Sequence, residues 1–135
     1  MDKINSLGDT RVNGLEIETK QTPQGIPVVH LSGDIDLHTC PELRSKLQEL
    51  LEQGSNTIIL NLAQVPYLDS AALGVLVDAV RKAREQNGGL YLVEVSAFVL
   101  RAFEITRLIK IFNVYENEDA AITAIESAAA QPVAS

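Results

Sequence analysis

One unit in the chain restricts its fold more than any other. Thr57-Ile58-Ile59-Leu60-Asn61-Leu62 is a short, β-branched, mostly apolar run of strand length. A brief polar passage, Tyr67-Leu68-Asp69-Ser70, leads into Leu73, Leu76, Val77 and Val80 at helical spacing, with Asp78, Arg81, Lys82 and Glu85 opposite them. Asn87-Gly88-Gly89 stops that helix, and Leu90-Tyr91-Leu92-Val93 supplies another strand. Strand, crossover helix and strand imply that at least part of the sheet is parallel. The chain therefore contains an α/β core.

The flanking segments extend this unit on both sides. Leu15-Glu16-Ile17-Glu18-Thr19 alternates apolar and polar residues, the pattern of a half-buried strand. Thr22-Pro23-Gln24-Gly25 is a turn signal, and Ile26 to Leu31 is a second apolar run closed by Ser32-Gly33-Asp34, so a hairpin is expected. Thr39, Pro41 and Glu42 form a capping-box pattern ahead of Leu43, Leu47, Leu50 and Leu51, with Gly54 as the stop. Ser96 is expected to cap a helix to about Thr106 that offers Phe98 or Val99, together with Ala102, Phe103 and Ile105, for burial. Phe112 to Tyr115 reads as an edge strand, and Asn117 as the cap of a last helix bearing Ala121, Ile122 and Ile125. The expected organisation is a flexible lead-in over 1–13, one folded domain over 14–127 and a tail over 128–135.

Composition removes several functions. A chain of 135 residues with 46% hydrophobic and 21% charged residues forms one globular domain. No apolar run approaches the roughly 18 residues of a membrane helix, and Met1 to Asn5 lacks the start of a secretory signal. A net charge of −7 without a Lys/Arg cluster argues against direct nucleic-acid contact and suits a basic protein partner. Cys40 is the single cysteine, and with His30 and His38 it makes too small a set for structural zinc. These features suit the cytoplasm, and no cofactor or metal is expected.

Catalytic readings find little support. Ser70 lacks the Gly-x-Ser-x-Gly context of a nucleophile elbow, and nothing in spacing joins it to His30 or His38 and Asp36. Cys40 beside Pro41 is better read as a packed helix-start residue than as an activated thiol. Asp34 and Asp36 flank Ile35, and both are expected to point outward near the helix start. Asp69 or Ser70 is first of all an N-cap. Ser70, Gly74, Asp78 and Arg81 nevertheless fall on one side of the helical wheel. Gly74, costing roughly 1 kcal/mol relative to Ala, leaves bare backbone below the hydroxyl. Its alternative role is packing inside the fold. Val75 and Ala79 widen the apolar arc and are expected to extend a contact patch.

The residues from Leu15 to Ile125 resemble a STAS domain, specifically a bacterial anti-sigma-factor antagonist. The resemblance rests on Leu31-Ser32-Gly33-Asp34-Ile35-Asp36, Leu60-Asn61-Leu62, Tyr67-Leu68-Asp69-Ser70 with Leu73-Gly74-Val75-Leu76, Leu100 to Thr106, and Phe112-Asn113-Val114-Tyr115. It implies a mixed sheet with helices packed mainly on one face. It also implies a non-enzymatic protein that binds an anti-sigma factor, itself a serine kinase, and so releases the sigma factor. Phosphorylation would fall on Ser70 and a serine phosphatase would reverse it, with no membrane role and a monomer when free. The expected partner surface is Asp34, Asp36, Thr39, Asp69, Ser70, Gly74, Val75 and Asp78. A STAS subunit of a lipid transporter, or of a larger stress-signalling assembly, is the alternative the resemblance leaves open. The chain departs from the family pattern at Ala71, Ala72, Asp34 and Arg107. The alanines leave Ser70 as the one hydroxyl of the motif, and Arg107 stands where a glycine often ends the third helix.

Overall fold

The computed structural model describes residues 10–12 and 14–130. The strands are β1 (Thr10–Val12), β2 (Leu15–Gln21), β3 (Pro27–Ser32), β4 (Thr57–Gln64), β5 (Gly89–Val93) and β6 (Asn113–Tyr115). The helices are α1 (Cys40–Glu52), α2 (Ser70–Glu85), α3 (Ala97–Ile105) and α4 (Glu118–Ala130), and a single 3₁₀ turn spans Leu108–Lys110. All six strands form one sheet in the order β1-β2-β3-β4-β5-β6. The β1–β2 and β2–β3 pairs are antiparallel, and those from β3 to β6 are parallel. The expected hairpin closes at Thr22–Gly25, where Gly25 donates to the Thr22 carbonyl at 2.8 Å.

Two apolar layers hold the sheet. On one face Leu15, Ile17, Val29, Leu31, Ile58, Leu60, Leu62, Leu90 and Leu92 meet the buried sides of α1, α2 and α3. The opposite face carries a smaller cluster, where Val28, Ile59 and Val93 pack on Ala121 of α4 with Ile122 and Ile125 partly buried beside it. The alternation of strand side chains separates the two sets. Helices therefore sit mainly on one face, as expected, and α4 alone serves the other.

Three expectations need correction. Thr10–Val12 pairs with β2 although it lies within the supposed lead-in, and residues 1–9 and 13 fall outside the described residues. Helix α4 continues to Ala130, past the start of the supposed tail, while residues 131–135 are likewise outside the description. In α3 only Val99 and Phe103 are buried; of the alternatives Phe98 and Val99 it is Val99 that enters the core, and Phe98 and Ile105 are 59% and 70% exposed. Val99 and Phe103 are one turn apart and meet the core together, which turns Phe98 and Ile105 outward.

Candidate functional site

The carboxyl ends of the parallel strands β3 and β4 run into two loops that are hydrogen-bonded to each other. Ile35 donates to the Tyr67 carbonyl at 3.1 Å, and the Asp69 N–H donates to the Ile35 carbonyl at 3.1 Å. Ile35 and Leu68 pair as a short parallel bridge, and both side chains are buried. Gly33 lets the first loop enter this arrangement. Its φ is +119°, and a Cβ there would lie 2.5 Å from the Gly14 carbonyl oxygen, so no other residue fits without a shift. Two loops distant in sequence thus form one rigid edge.

Helix α2 starts from that edge. Asp69 is its N-cap, with Oδ1 accepting the Ala72 N–H at 3.0 Å and Oδ2 accepting the Leu37 N–H at 3.1 Å. Ser70 therefore occupies the first helical position and is relieved of capping. It is exposed and makes no side-chain hydrogen bond to the described residues. Free first-turn N–H groups and the helix dipole make this a position that accepts an anion.

The adjoining loop is acidic. Asp34 is exposed, and the half-buried Asp36 accepts the backbone N–H groups of His38 and Thr39 at 2.9 and 3.0 Å. The Thr39 N–H, followed by the His38 N–H, the Thr39 hydroxyl and the His38 ring, holds the Asp36 carboxyl below its ordinary range despite some burial acting the other way. Among the described residues no Lys or Arg is paired with Asp34, Asp36 or Asp69. The edge carries negative charge that nothing within the described fold neutralises.

The structure brings Asp34, Asp36, Asp69, Ser70 and Gly74 to the surface together. Gly74 is exposed, and a Cβ there would meet nothing within 4 Å, so it does not pack inside the fold. Two expected contact residues, Thr39 and Val75, are corrected. Thr39 is 3% exposed, with its hydroxyl donating to the Asp34 carbonyl at 3.0 Å and accepting the Asp36 N–H at 2.9 Å, so it shapes the loop from within. No side-chain cap forms at Thr39, because that oxygen is already engaged. Val75 is 3% exposed and, with Ala79, lines the seam against Leu47 and Leu51 of α1. The wide apolar arc of α2 exists because the helix packs on both the sheet and α1. Asp78 is half-buried and committed to Arg81 and, at 3.1 Å, to Lys82 of its own helix; those two partners pull its pKa down.

Sequence reasoning missed the apolar rim. Leu37 is 68% exposed beside Asp69, and Tyr67 is 42% exposed, with its ring centroid 5.9 Å from that of Phe98. Exposed large side chains at a loop edge leave no periodic signal. His30 and Ser70 are not brought together. His30 lies 2.8 Å from Glu118 on the α4 face of the sheet, whereas α2 packs on the other face.

A single α/β domain with a sequentially ordered sheet and an exposed serine opening its second crossover helix is a module that presents surface. The chain belongs to the STAS domain family, whose model matches residues 17–121. It is 37% identical over 100 residues to an anti-sigma-B factor antagonist of Bacillus subtilis, covering 74% of this chain and 90% of that one. It is 34% identical over 105 residues to an anti-sigma-B factor antagonist of Staphylococcus aureus, covering 78% and 96%. The crystal structure of an anti-sigma factor antagonist from Mycobacterium paratuberculosis superimposes with a TM-score of 0.75 at 26% identity, over 83% of this chain and 94% of that one.

Proposed function

We propose that the chain is an anti-sigma-factor antagonist: a binding protein, not a catalyst, that sequesters an anti-sigma factor and is switched off by phosphorylation of Ser70. The observation that carries this reading is Ser70 itself, exposed at the first position of α2 while Asp69 does the capping. The names of the relatives support the same role. The partner footprint is the edge formed by Asp34, Asp36, Asp69, Ser70 and Gly74, with Leu37 and Tyr67 as its apolar rim. Its uncompensated carboxylates call for an electropositive partner surface.

The switch follows from solvation. A phosphate adds about −1.5 to −2 charge at neutral pH. In the free protein it rests at a helix N-terminus in contact with water, so the fold tolerates it. Under a partner it has to be desolvated next to Asp69, which pairs with no Lys or Arg among the described residues, and this opposes binding. The kinase activity belongs to the anti-sigma factor, and a serine phosphatase restores the free hydroxyl. In this role the chain works in the cytoplasm as a monomer when free; among the described residues no helix is long and apolar enough to cross a membrane.

The test is calorimetric titration of the kinase-type anti-sigma factor from the source organism with unmodified, Ser70-phosphorylated and Ser70→Glu protein. The expected loss is about 3 kcal/mol, roughly a hundredfold or more in Kd, for both altered forms. Unchanged affinity of the quantitatively phosphorylated protein would refute the switch.

A further inference from the structure

The exposed face of α3 carries, beside Arg101 and Glu104, two large apolar side chains that the described residues leave mostly uncovered. Phe98 and Ile105 are 59% and 70% exposed and stand seven positions apart in the sequence. That spacing puts them on one side of the helix, about 10 Å apart along its axis. Arg101 is exposed between them and Ala102 is half-buried. At its upper end this stripe joins the Ser70 edge, because the Phe98 ring contacts that of Tyr67 at 5.9 Å. The Tyr67 carbonyl is in turn pinned by the Ile35 N–H at 3.1 Å.

We infer that this face of α3 is a second arm of the anti-sigma factor's footprint, and the arm that phosphorylation does not switch. The inference rests on the reading of Ser70 as the modified residue. A protein that delivers a phosphoryl group to the Ser70 hydroxyl covers Tyr67, three residues before it in the chain, and through Tyr67 reaches Phe98. Burial of Phe98 and Ile105 contributes affinity through apolar area, which charge on Ser70 leaves unaltered. The footprint thus has a polar end that carries the switch and an apolar end that carries part of the holding strength.

The test uses the full chain and the source organism's anti-sigma factor that phosphorylates Ser70. For the Phe98→Ala/Ile105→Ala double variant, the expected result is a Kd raised at least tenfold with an unchanged melting temperature. The KM for its phosphorylation rises with the Kd, while kcat stays within twofold. Ile105→Ser, which leaves the Tyr67–Phe98 contact in place, is expected to weaken binding at least threefold. A Kd within twofold of wild type for both variants would confine the footprint to the Ser70 edge and overturn the inference, while a loss of binding by Ser70→Glu in the same assay would leave the Ser70 reading intact. Wild-type binding by Ser70→Glu would instead remove the Ser70 reading, and this inference with it.

Discussion

The Asp69 carboxylate accepts the Leu37 N–H at 3.1 Å, joining the loop before α1 to the start of α2. Its other oxygen caps α2 through Ala72, so one side chain fixes both the helix and the loop that faces Ser70. Replacing it removes a cap worth about 1 kcal/mol and a backbone hydrogen bond worth about another 1 kcal/mol. Asp69→Ala is therefore expected to lose about 2 kcal/mol in urea denaturation. Asp69→Asn keeps one acceptor and should lose about half as much. Equal stability of Asp69→Asn and wild type would mean that the Leu37 bond contributes nothing.

Ser70 should behave in the opposite way. Because its hydroxyl is exposed and has no partner among the described residues, Ser70→Ala is expected to change stability by no more than about 0.5 kcal/mol. The same variant should incorporate no phosphate when incubated with the cognate kinase and ATP. A melting temperature well below that of wild type would show that Ser70 has a structural role after all.

The contrast between these neighbours explains what the sequence could and could not reveal. The crossover unit was legible because β4 and α2 follow two distinct periodicities, and turn residues mark both ends. The hairpin was legible for the same reason. Thr39 was misread because a capping-box pattern does not show that another loop will claim the hydroxyl. Val75 was misread because a helical wheel assumes one buried face, and α1 supplies a second. Five apolar residues of α3, Phe98, Val99, Ala102, Phe103 and Ile105, are candidates for the core, and only packing decides that Val99 and Phe103 go in. The strand β1 has three residues, too few to show any period.

Gly74 separates stability from binding. Its missing Cβ faces open space, so Gly74→Ala should gain about 1 kcal/mol from helix propensity alone. If the partner approaches α2 closely at this turn, the added methyl group should also weaken binding severalfold. Thermal melts and titration of the anti-sigma factor on the same preparation would show stability and affinity moving in opposite directions. A stabilised variant with wild-type affinity would exclude Gly74 from the footprint.

Asp36 predicts an acid limb. Its carboxyl titrates below the ordinary value in the folded state, chiefly through the Thr39 N–H. A depressed folded pKa gives stability that is present above the unfolded value of about 4 and is lost as pH falls through the folded value. Asp36→Asn cannot titrate, so it should be less stable than wild type at pH 7 and converge with it as pH falls through the depressed folded value of Asp36. Urea midpoints measured from pH 7 to pH 2.5 would show a smaller decline for the variant. Parallel curves would assign the acid sensitivity elsewhere, with Asp78, held low by Lys82 and Arg81, the next residue to replace.

Arg107 identifies a position where the chain carries local strain. It ends α3 with φ +64°, in the left-handed region, and its N–H donates to the Glu104 carbonyl at 3.1 Å. A residue with a Cβ is disfavoured there by roughly 1–2 kcal/mol, while glycine enters the region freely but loses more backbone entropy on folding. The balance favours glycine, and Arg107→Gly is expected to stabilise the fold by about 1 kcal/mol. Arg107→Ala keeps the Cβ and should gain nothing, which separates relief of backbone strain from removal of the charge. Because the substitution lies beyond Ile105 and outside the Ser70 edge, affinity for the anti-sigma factor should stay within twofold. Equal urea midpoints for Arg107→Gly and Arg107→Ala would show that the left-handed backbone, rather than its occupant, is already fully compensated by the turn that follows at Leu108–Lys110.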